Sequence, residues 1–169
     1  KDLNEQIRAM VGSLKVGGYT GPVVVENGLA FFQRTTTAHY TEALRLMRTE
    51  KYKQALVPLK RDLGLNPDRL HSLALQAYAL QRLNRPNEAL AVYRQIVKRD
   101  PKHVLSYNNL GTLLDQAGNY PEAAKMFERA VELDTKQDVT LHNLAWIYSS
   151  RLNNPTKALA FIRRAIALK

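Results

Sequence analysis

The chain has 169 residues, of which 45% are hydrophobic and 24% charged, the composition of an ordinary folded protein. It contains no cysteine, which excludes disulfides, thiol catalysis and cysteine-ligated zinc. The net charge of +10 predicts attraction to acidic partners, nucleic acid or anionic membrane surfaces. The densest apolar stretch, near residues 22–32, is too short and too interrupted to predict a membrane span.

Residues 1–35 follow no repeat. Apolar residues at helical spacing between Leu3 and Leu14 predict a short amphipathic helix, and a glycine-rich loop follows at residues 17–22. We expect this segment to form an N-terminal cap, because a terminal repeat needs its outer face covered. An arm that docks a neighbouring molecule is the alternative. The chain does not begin with Met, as expected of a mature or trimmed chain.

Small residues recur every 34 positions in the rest of the chain. They are Ala43, Ala77, Gly111 and Ala145. Large apolar positions three residues later keep the same interval, as do alanines twelve residues later. A fixed period near 34 residues is typical of stacked helical hairpins. It predicts four units, at residues 36–69, 70–103, 104–137 and 138–169.

The third unit shows the hairpin most clearly. Apolar spacing predicts one helix through Leu110 and Gly111 and a second helix that begins near Pro121. Small side chains at a crossing let two helices approach to about 8–10 Å. We therefore expect Gly111 to face the region of Ala123, with Phe127 beside it.

Two positions depart from the regular pattern. Pro58 stands inside the second helix of the first unit, where we expect a kink. The period slips by one residue near Asn154, which gives Ala158, Ile162 and Ala165 the positions held by Ala, Phe and Ala in the third unit.

The pattern resembles the tetratricopeptide repeat, in which a large residue, Leu-Gly, an aromatic or Leu, then Ala, Phe, Ala and Pro recur. The third unit matches nearly every position, although Thr135 replaces the usual proline: Tyr107, Leu110, Gly111, Leu114, Ala123, Phe127 and Ala130. The resemblance covers residues 36–169. It implies an all-α fold, an α-solenoid of about four helical hairpins with a short irregular or helical N-terminal cap.

The resemblance also implies where a partner binds. In this family the first helix of each unit lines a concave groove, and fixed positions of that helix face it. The matching positions form the candidate peptide-binding groove: Tyr40, Leu44, Met47, Arg48, His71, Tyr78, Arg82, Asn108, Thr112, His142 and Trp146. Tyr, Trp and Arg dominate binding hot spots, so we expect a protein or peptide partner with apolar anchors and some negative charge. Asn108 is expected to bond a ligand backbone, whereas packing against a neighbouring helix is the alternative for apolar members such as Leu44.

Other chemistry has little support in the sequence. The four histidines match no zinc-binding spacing, and neither a catalytic Ser, His and Asp set nor a phosphate-binding loop stands out. We therefore expect no enzyme activity, no metal site and no cofactor. The Lys and Asn clamp of chaperone-binding relatives is also absent, because Tyr40 and Leu44 occupy two of its positions.

The favoured function is a non-catalytic scaffold that binds a peptide or partner protein in the groove. Residues 144–148 and 160–165 resemble repeats of bacterial envelope assembly proteins, such as pilus-biogenesis or secretion lipoproteins. This favours the bacterial periplasm over the cytoplasm without fixing the compartment. A self-assembling array is the alternative, since we expect exposed apolar residues on the C-terminal helix at Leu159, Ile162 and Ile166. Nucleic-acid binding is less favoured, because residues 104–137 are net acidic.

Overall fold

The computed structural model describes the backbone of residues 29–168 and the side chains of residues 38–168. The helix and loop predicted between Leu3 and residue 22 lie outside the described residues. The described part of the chain contains eight α-helices and no strand: α1 (Leu29–Arg48), α2 (Tyr52–Leu65), α3 (Leu70–Arg82), α4 (Pro86–Arg99), α5 (Val104–Gln116), α6 (Tyr120–Leu133), α7 (Asp138–Ser150) and α8 (Pro155–Ala167). The predicted all-α repeat fold is confirmed.

Helix α1 crosses the boundary that the sequence placed between the cap and the first unit. It begins at Leu29, seven residues before position 36. The first helices of the later units begin at Leu70, Val104 and Asp138. The unit boundaries themselves stay a prediction.

The chain forms two compact units, residues 1–84 and residues 85–169. In the first unit, α1 packs against α2, and α2 packs against α3. Ala43 and Leu46 of α1 are buried together with Ala55 and Leu59 of α2. Alanine at these positions lets the two helices approach closely while leucine fills the space beside the crossing.

Pro58 lies inside α2 and is buried, yet the helix runs without interruption from Tyr52 to Leu65. Proline has no N–H, so the carbonyl of Gln54 receives no helical hydrogen bond from residue 58. The predicted interruption is therefore limited to this bond and does not end the helix.

In the second unit, α5 packs against α6, α6 against α7, and α7 against α8. Phe127 of α6 is 2% exposed and lies in a cluster with Leu114, Leu144, Tyr148 and other buried residues. Burial of one such leucine or phenylalanine side chain is worth about 1.5–3 kcal/mol. This cluster joins the four helices α5–α8 into one core.

The expected one-residue slip corresponds to a longer turn. Three residues connect α5 to α6, and four connect α7 to α8. In the longer turn Asn153 has a φ of 46°, a left-handed conformation that asparagine tolerates, and the N–H of Asn154 donates to the Tyr148 carbonyl at 2.7 Å.

One residue of the slipped pattern was assigned wrongly. Ala158 and Ala165 are buried as expected, but Ile162 is 42% exposed. Phe161 packs inward instead, with its ring stacked on Tyr148 at a centroid distance of 5.8 Å and an interplanar angle of 14°. Stacked aromatic pairs of this kind add to apolar burial, so the helix orients Phe161 toward the core and Ile162 away from it.

Among the described residues, no helix combines the length and apolarity needed to cross a membrane.

Candidate functional site

The predicted groove residues of the first unit lie on α1 and α3, which contact each other. Three residues of α1 are half-buried: Tyr40, Leu44 and Met47. Four others are exposed, the first at the end of α1 and the rest on α3: Arg48, His71, Tyr78 and Arg82.

Two of these exposed residues meet at the first residue of α2. The rings of Tyr78 and Tyr52 pack edge to face, with centroids 6.1 Å apart and planes at 75°. The Arg82 Cζ atom lies 5.4 Å from the centroid of the Tyr52 ring, within cation–π range. We call these three residues the Tyr52 cluster.

Tyr40 has different neighbours. The Arg69 Cζ atom lies 5.8 Å from the centroid of its ring. Arg69 also donates to the Asp62 carboxylate at 2.8 Å, and Ser72 donates to the other oxygen of that carboxylate. Because Asp62 is fully buried, Tyr40 borders an ion pair that holds α2 and α3 together.

In the second unit, Asn108 of α5 connects α5 to α7. Its side-chain oxygen accepts from the Thr140 hydroxyl at 2.8 Å, and its amide nitrogen donates to Gln137 at 3.0 Å. Thr112 also donates to the Asn108 backbone carbonyl at 3.0 Å. Since a side-chain amide has two N–H groups and two lone pairs, the Asn108 amide is already half used within the protein.

Large apolar side chains are exposed on both sides of this connection. Leu105 of α5 is 60% exposed, Val139 of α7 is 72% exposed and Trp146 of α7 is 44% exposed. Leu105 precedes Asn108 by one helical turn, so both lie on one face of α5. We call these four residues, together with His142, the α5–α7 surface.

His142 is exposed on α7, and its Nδ1 lies 2.8 Å from the Asp138 carbonyl one turn earlier. This contact fixes the orientation of the ring beside Val139. Within the described residues, no group of three or more His, Asp or Glu side chains is placed to hold a metal ion.

A second aromatic cluster lies at the end of α7. The Arg151 Cζ atom is 4.9 Å from the centroid of the Tyr120 ring and 4.8 Å from that of Trp146. One guanidinium therefore contacts two aromatic rings. We call these three residues the Tyr120 cluster.

The two clusters occupy equivalent positions in the repeat. Tyr52 and Tyr120 are separated by 68 residues, or two periods, and so are Tyr78 and Trp146. Each tyrosine opens a second helix, and each partner ring lies on the preceding or following first helix. The periodic placement of these aromatic pairs is visible in the sequence, but we did not predict Tyr52, Tyr120 or Arg151 as site residues.

Successive helices joined by short turns, with exposed apolar residues on the first helices, define a helical-hairpin repeat protein. Family models described as "Tetratricopeptide repeat" match residues 74–138 and 140–169, together more than half of the chain. The chain belongs to the tetratricopeptide repeat family, whose members are generally non-catalytic scaffolds.

Solved structures of this family share the fold. MamA is 20% identical with a TM-score of 0.74, and the match covers 80% of this chain and 74% of MamA. YrrB, described as "a TPR protein with an unusual peptide-binding site", is 22% identical with a TM-score of 0.69, and the match covers 83% of this chain and 76% of YrrB. PilF of Pseudomonas aeruginosa is 22% identical with a TM-score of 0.69, and the match covers 82% of this chain and 63% of PilF. The search of curated proteins gave no match.

Proposed function

We propose that this protein is a non-catalytic scaffold that binds a peptide or partner protein through its first helices α1, α3, α5 and α7. The observation that supports this most directly is the α5–α7 surface, where Leu105, Val139 and Trp146 are each more than two-fifths exposed. Contiguous apolar surface with polar groups beside it is typical of a protein-binding site. The groove residues predicted from the repeat remain part of this proposal.

The chemistry of the surface defines the partner that it would bind. Exposed leucine, valine and tryptophan side chains favour apolar anchors, and the remaining donor and acceptor of Asn108 suit a peptide backbone. The net charge of +10 favours some negative charge on the partner.

The biological setting that we propose is bacterial envelope assembly, in pilus biogenesis or secretion. The similarity of residues 144–148 and 160–165 to repeats of such proteins supports this setting. The fold that the chain shares with PilF of Pseudomonas aeruginosa agrees with it. The peptide-binding site described for YrrB supports the general function.

Trp146 is the only tryptophan of the chain, so its fluorescence reports directly on the α5–α7 surface. Peptides selected on this protein from a random 12-residue display library are synthesised and titrated while the Trp146 emission is followed. We expect a saturable blue shift, because a bound apolar anchor removes water from the indole. Leu105→Ser and Val139→Ser should each weaken binding by about tenfold.

Leu159→Ser is the matched control. Leu159 is 53% exposed and lies on α8, outside the proposed surface, so this change should leave peptide affinity unaltered. Equal loss of affinity in the control, or no selected peptide that shifts the emission, would contradict the proposed function.

Self-assembly through α8 is a second candidate. This helix exposes four large apolar residues: Leu159, Ile162, Ile166 and Leu168. A second copy of the chain would cover them. Sedimentation at increasing concentration tests this, since assembly should grow with concentration and disappear in Ile162→Ser. A monomer at every concentration would dispose of this candidate.

A further inference from the structure

We propose that the Tyr52 cluster and the Tyr120 cluster are two equivalent subsites, each of which binds a carboxylate side chain of a peptide beside an apolar side chain. This inference rests on the proposed function and adds the chemical identity of the ligand. Each cluster lies within one compact unit and is argued separately.

The first step concerns the charge of the two arginines. Arg69, Arg94 and Arg129 each pair with an Asp or Glu side chain at 2.8–3.0 Å. Across the part of the chain that the structure describes, no salt bridge is formed by Arg82 or Arg151. Their positive charges are therefore not compensated by a carboxylate of that part of the chain.

The second step concerns the N–H donors. Arg82 and Arg151 contact aromatic rings through the guanidinium plane. A guanidinium over a ring keeps its N–H groups along its edges, where they match the two oxygens of a carboxylate. The rings also restrict the side chain before binding, which lowers the entropy lost when the ion pair forms.

The third step concerns the apolar group beside the carboxylate. Tyr78 is 43% exposed and Trp146 is 44% exposed, although each touches its cluster. An apolar side chain of the ligand gains contact with this ring surface while its acidic neighbour reaches the arginine. The same arrangement of tyrosine, second aromatic residue and arginine recurs two periods apart, which indicates one recognition chemistry used twice.

The Tyr120 cluster is tested with four synthetic 12-residue peptides that share one flanking sequence and differ in a central pair. The pairs are Phe-Glu, Phe-Gln, Phe-phosphoserine and Ala-Glu. Titration followed by Trp146 emission should give an affinity for Phe-Glu about tenfold higher than for Phe-Gln or Ala-Glu, because the pair needs both the charge and the apolar contact. A preference for phosphoserine over Glu would overturn the assignment of a carboxylate.

Substitution of the arginine tests its role. Arg151→Gln should abolish the preference for Phe-Glu over Phe-Gln, and Arg151→Lys should keep less than half of it, because lysine lacks the planar pair of donors. Arg163→Gln is the matched control, since Arg163 is exposed on α8 and its loss lowers the net charge equally. A preference that survives Arg151→Gln, or that Arg163→Gln reduces as much, would overturn the proposal.

The Tyr52 cluster is read in the same way after the reporter is moved, with Tyr78→Trp combined with Trp146→Phe. Arg82→Gln should then abolish the Glu preference, with Arg45→Gln as its control. The two levels of the proposal fail differently. If peptides bind and depend on Leu105 but show no Glu preference, the scaffold function stands and this inference is wrong. If no peptide binds at all, the scaffold function itself is wrong.

Discussion

Gly111 of α5 lies directly against the ring of Phe127 of α6. A Cβ atom built on Gly111 would come within 2.7 Å of two ring carbons and 2.8 Å of a third. Real Cβ atoms do not approach other atoms this closely, so the spacing of the two helices depends on the missing side chain. Three other units carry alanine at this position, and only this one requires glycine.

We therefore predict that Gly111→Ala lowers the free energy of unfolding. Alanine gains about 1 kcal/mol of helix propensity over glycine, but the displaced Phe127 ring costs about 1–3 kcal/mol through overpacking. Gly64→Ala in α2 is the matched control, because no atom lies within 4 Å of its added Cβ and this change should be neutral or stabilising. Urea denaturation measures both. Equal stabilisation of the two variants would contradict the proposed close contact.

The buried carboxylate of Asp62 gives a second prediction. Asp62→Ala removes the partner of Arg69 and Ser72, and the loss should reach the lower end of the about 3–5 kcal/mol typical of a broken buried pair, because the Arg69 side chain remains 30% exposed. The next unit has Ile96 and His103 at the equivalent positions.

The double change Asp62→Ile with Arg69→His copies that apolar solution, and it should recover most of the lost stability. Thermal and urea unfolding of the three proteins test both parts. A double variant no more stable than Asp62→Ala would show that the ion pair is not interchangeable with apolar packing here.

The N-terminus of α8 gives a third prediction. The Asn154 side chain accepts a hydrogen bond from the Lys157 N–H at 3.1 Å and so caps the helix. Asn119 precedes α6 in the same way, but its side chain makes no cap and donates to Glu122 instead. Asn154→Ala should cost about 0.5–2 kcal/mol, measured by urea unfolding, and Asn119→Ala clearly less. Identical losses would contradict this difference in capping.

A fourth prediction concerns alkaline pH. The Tyr148 hydroxyl donates to Glu128 at 2.7 Å, and the Lys157 ammonium donates to the Tyr148 oxygen at 3.0 Å. Burial is the main cause that raises the pKa of Tyr148 above its usual value of 10.0. Hydrogen bonds to Tyr148 and Glu128 likewise raise the pKa of Lys157 above 10.5.

Both shifts stabilise the protonated forms in the folded state. Their contribution is complete below about pH 10 and is lost as the pH rises above it, because the unfolded chain releases these protons first. The free energy of unfolding should therefore fall more steeply above about pH 10 in the natural chain than in Tyr148→Phe. Parallel decreases in the two proteins, measured by urea denaturation at several pH values, would contradict this prediction.

Much of the fold was readable from the sequence because the repeat fixes spacing. The 34-residue interval identified the small residues at helix crossings, and Ala43, Ala77, Gly111 and Ala145 are all buried. Helical periodicity reflects which side chains can reach a core, so it survives in the one-dimensional order. The error at Ile162 arose because a one-residue slip left two adjacent candidates, Phe161 and Ile162, for one inward position.

The site was less accessible to sequence reasoning. The exposed apolar pair Leu105 and Val139 could be placed on first helices, but the use of the Asn108 amide within the protein depends on Thr140 and Gln137, about 30 residues away. A contact over that distance depends on how two helices pack, and the repeat pattern does not specify it.

The sequence by itself determined the all-α repeat architecture, the family and the positions of the first helices, because these follow from apolar spacing along the chain. Only the tertiary structure decided which side chains meet across helices: Asp62 with Arg69 and Ser72, and Arg151 with Tyr120 and Trp146. Such contacts depend on helix rotation and on side-chain rotamers, which packing selects after the helices have formed. For the same reason the 34-residue period identifies where a partner is expected, and the arginine and aromatic contacts indicate what chemistry that partner should carry.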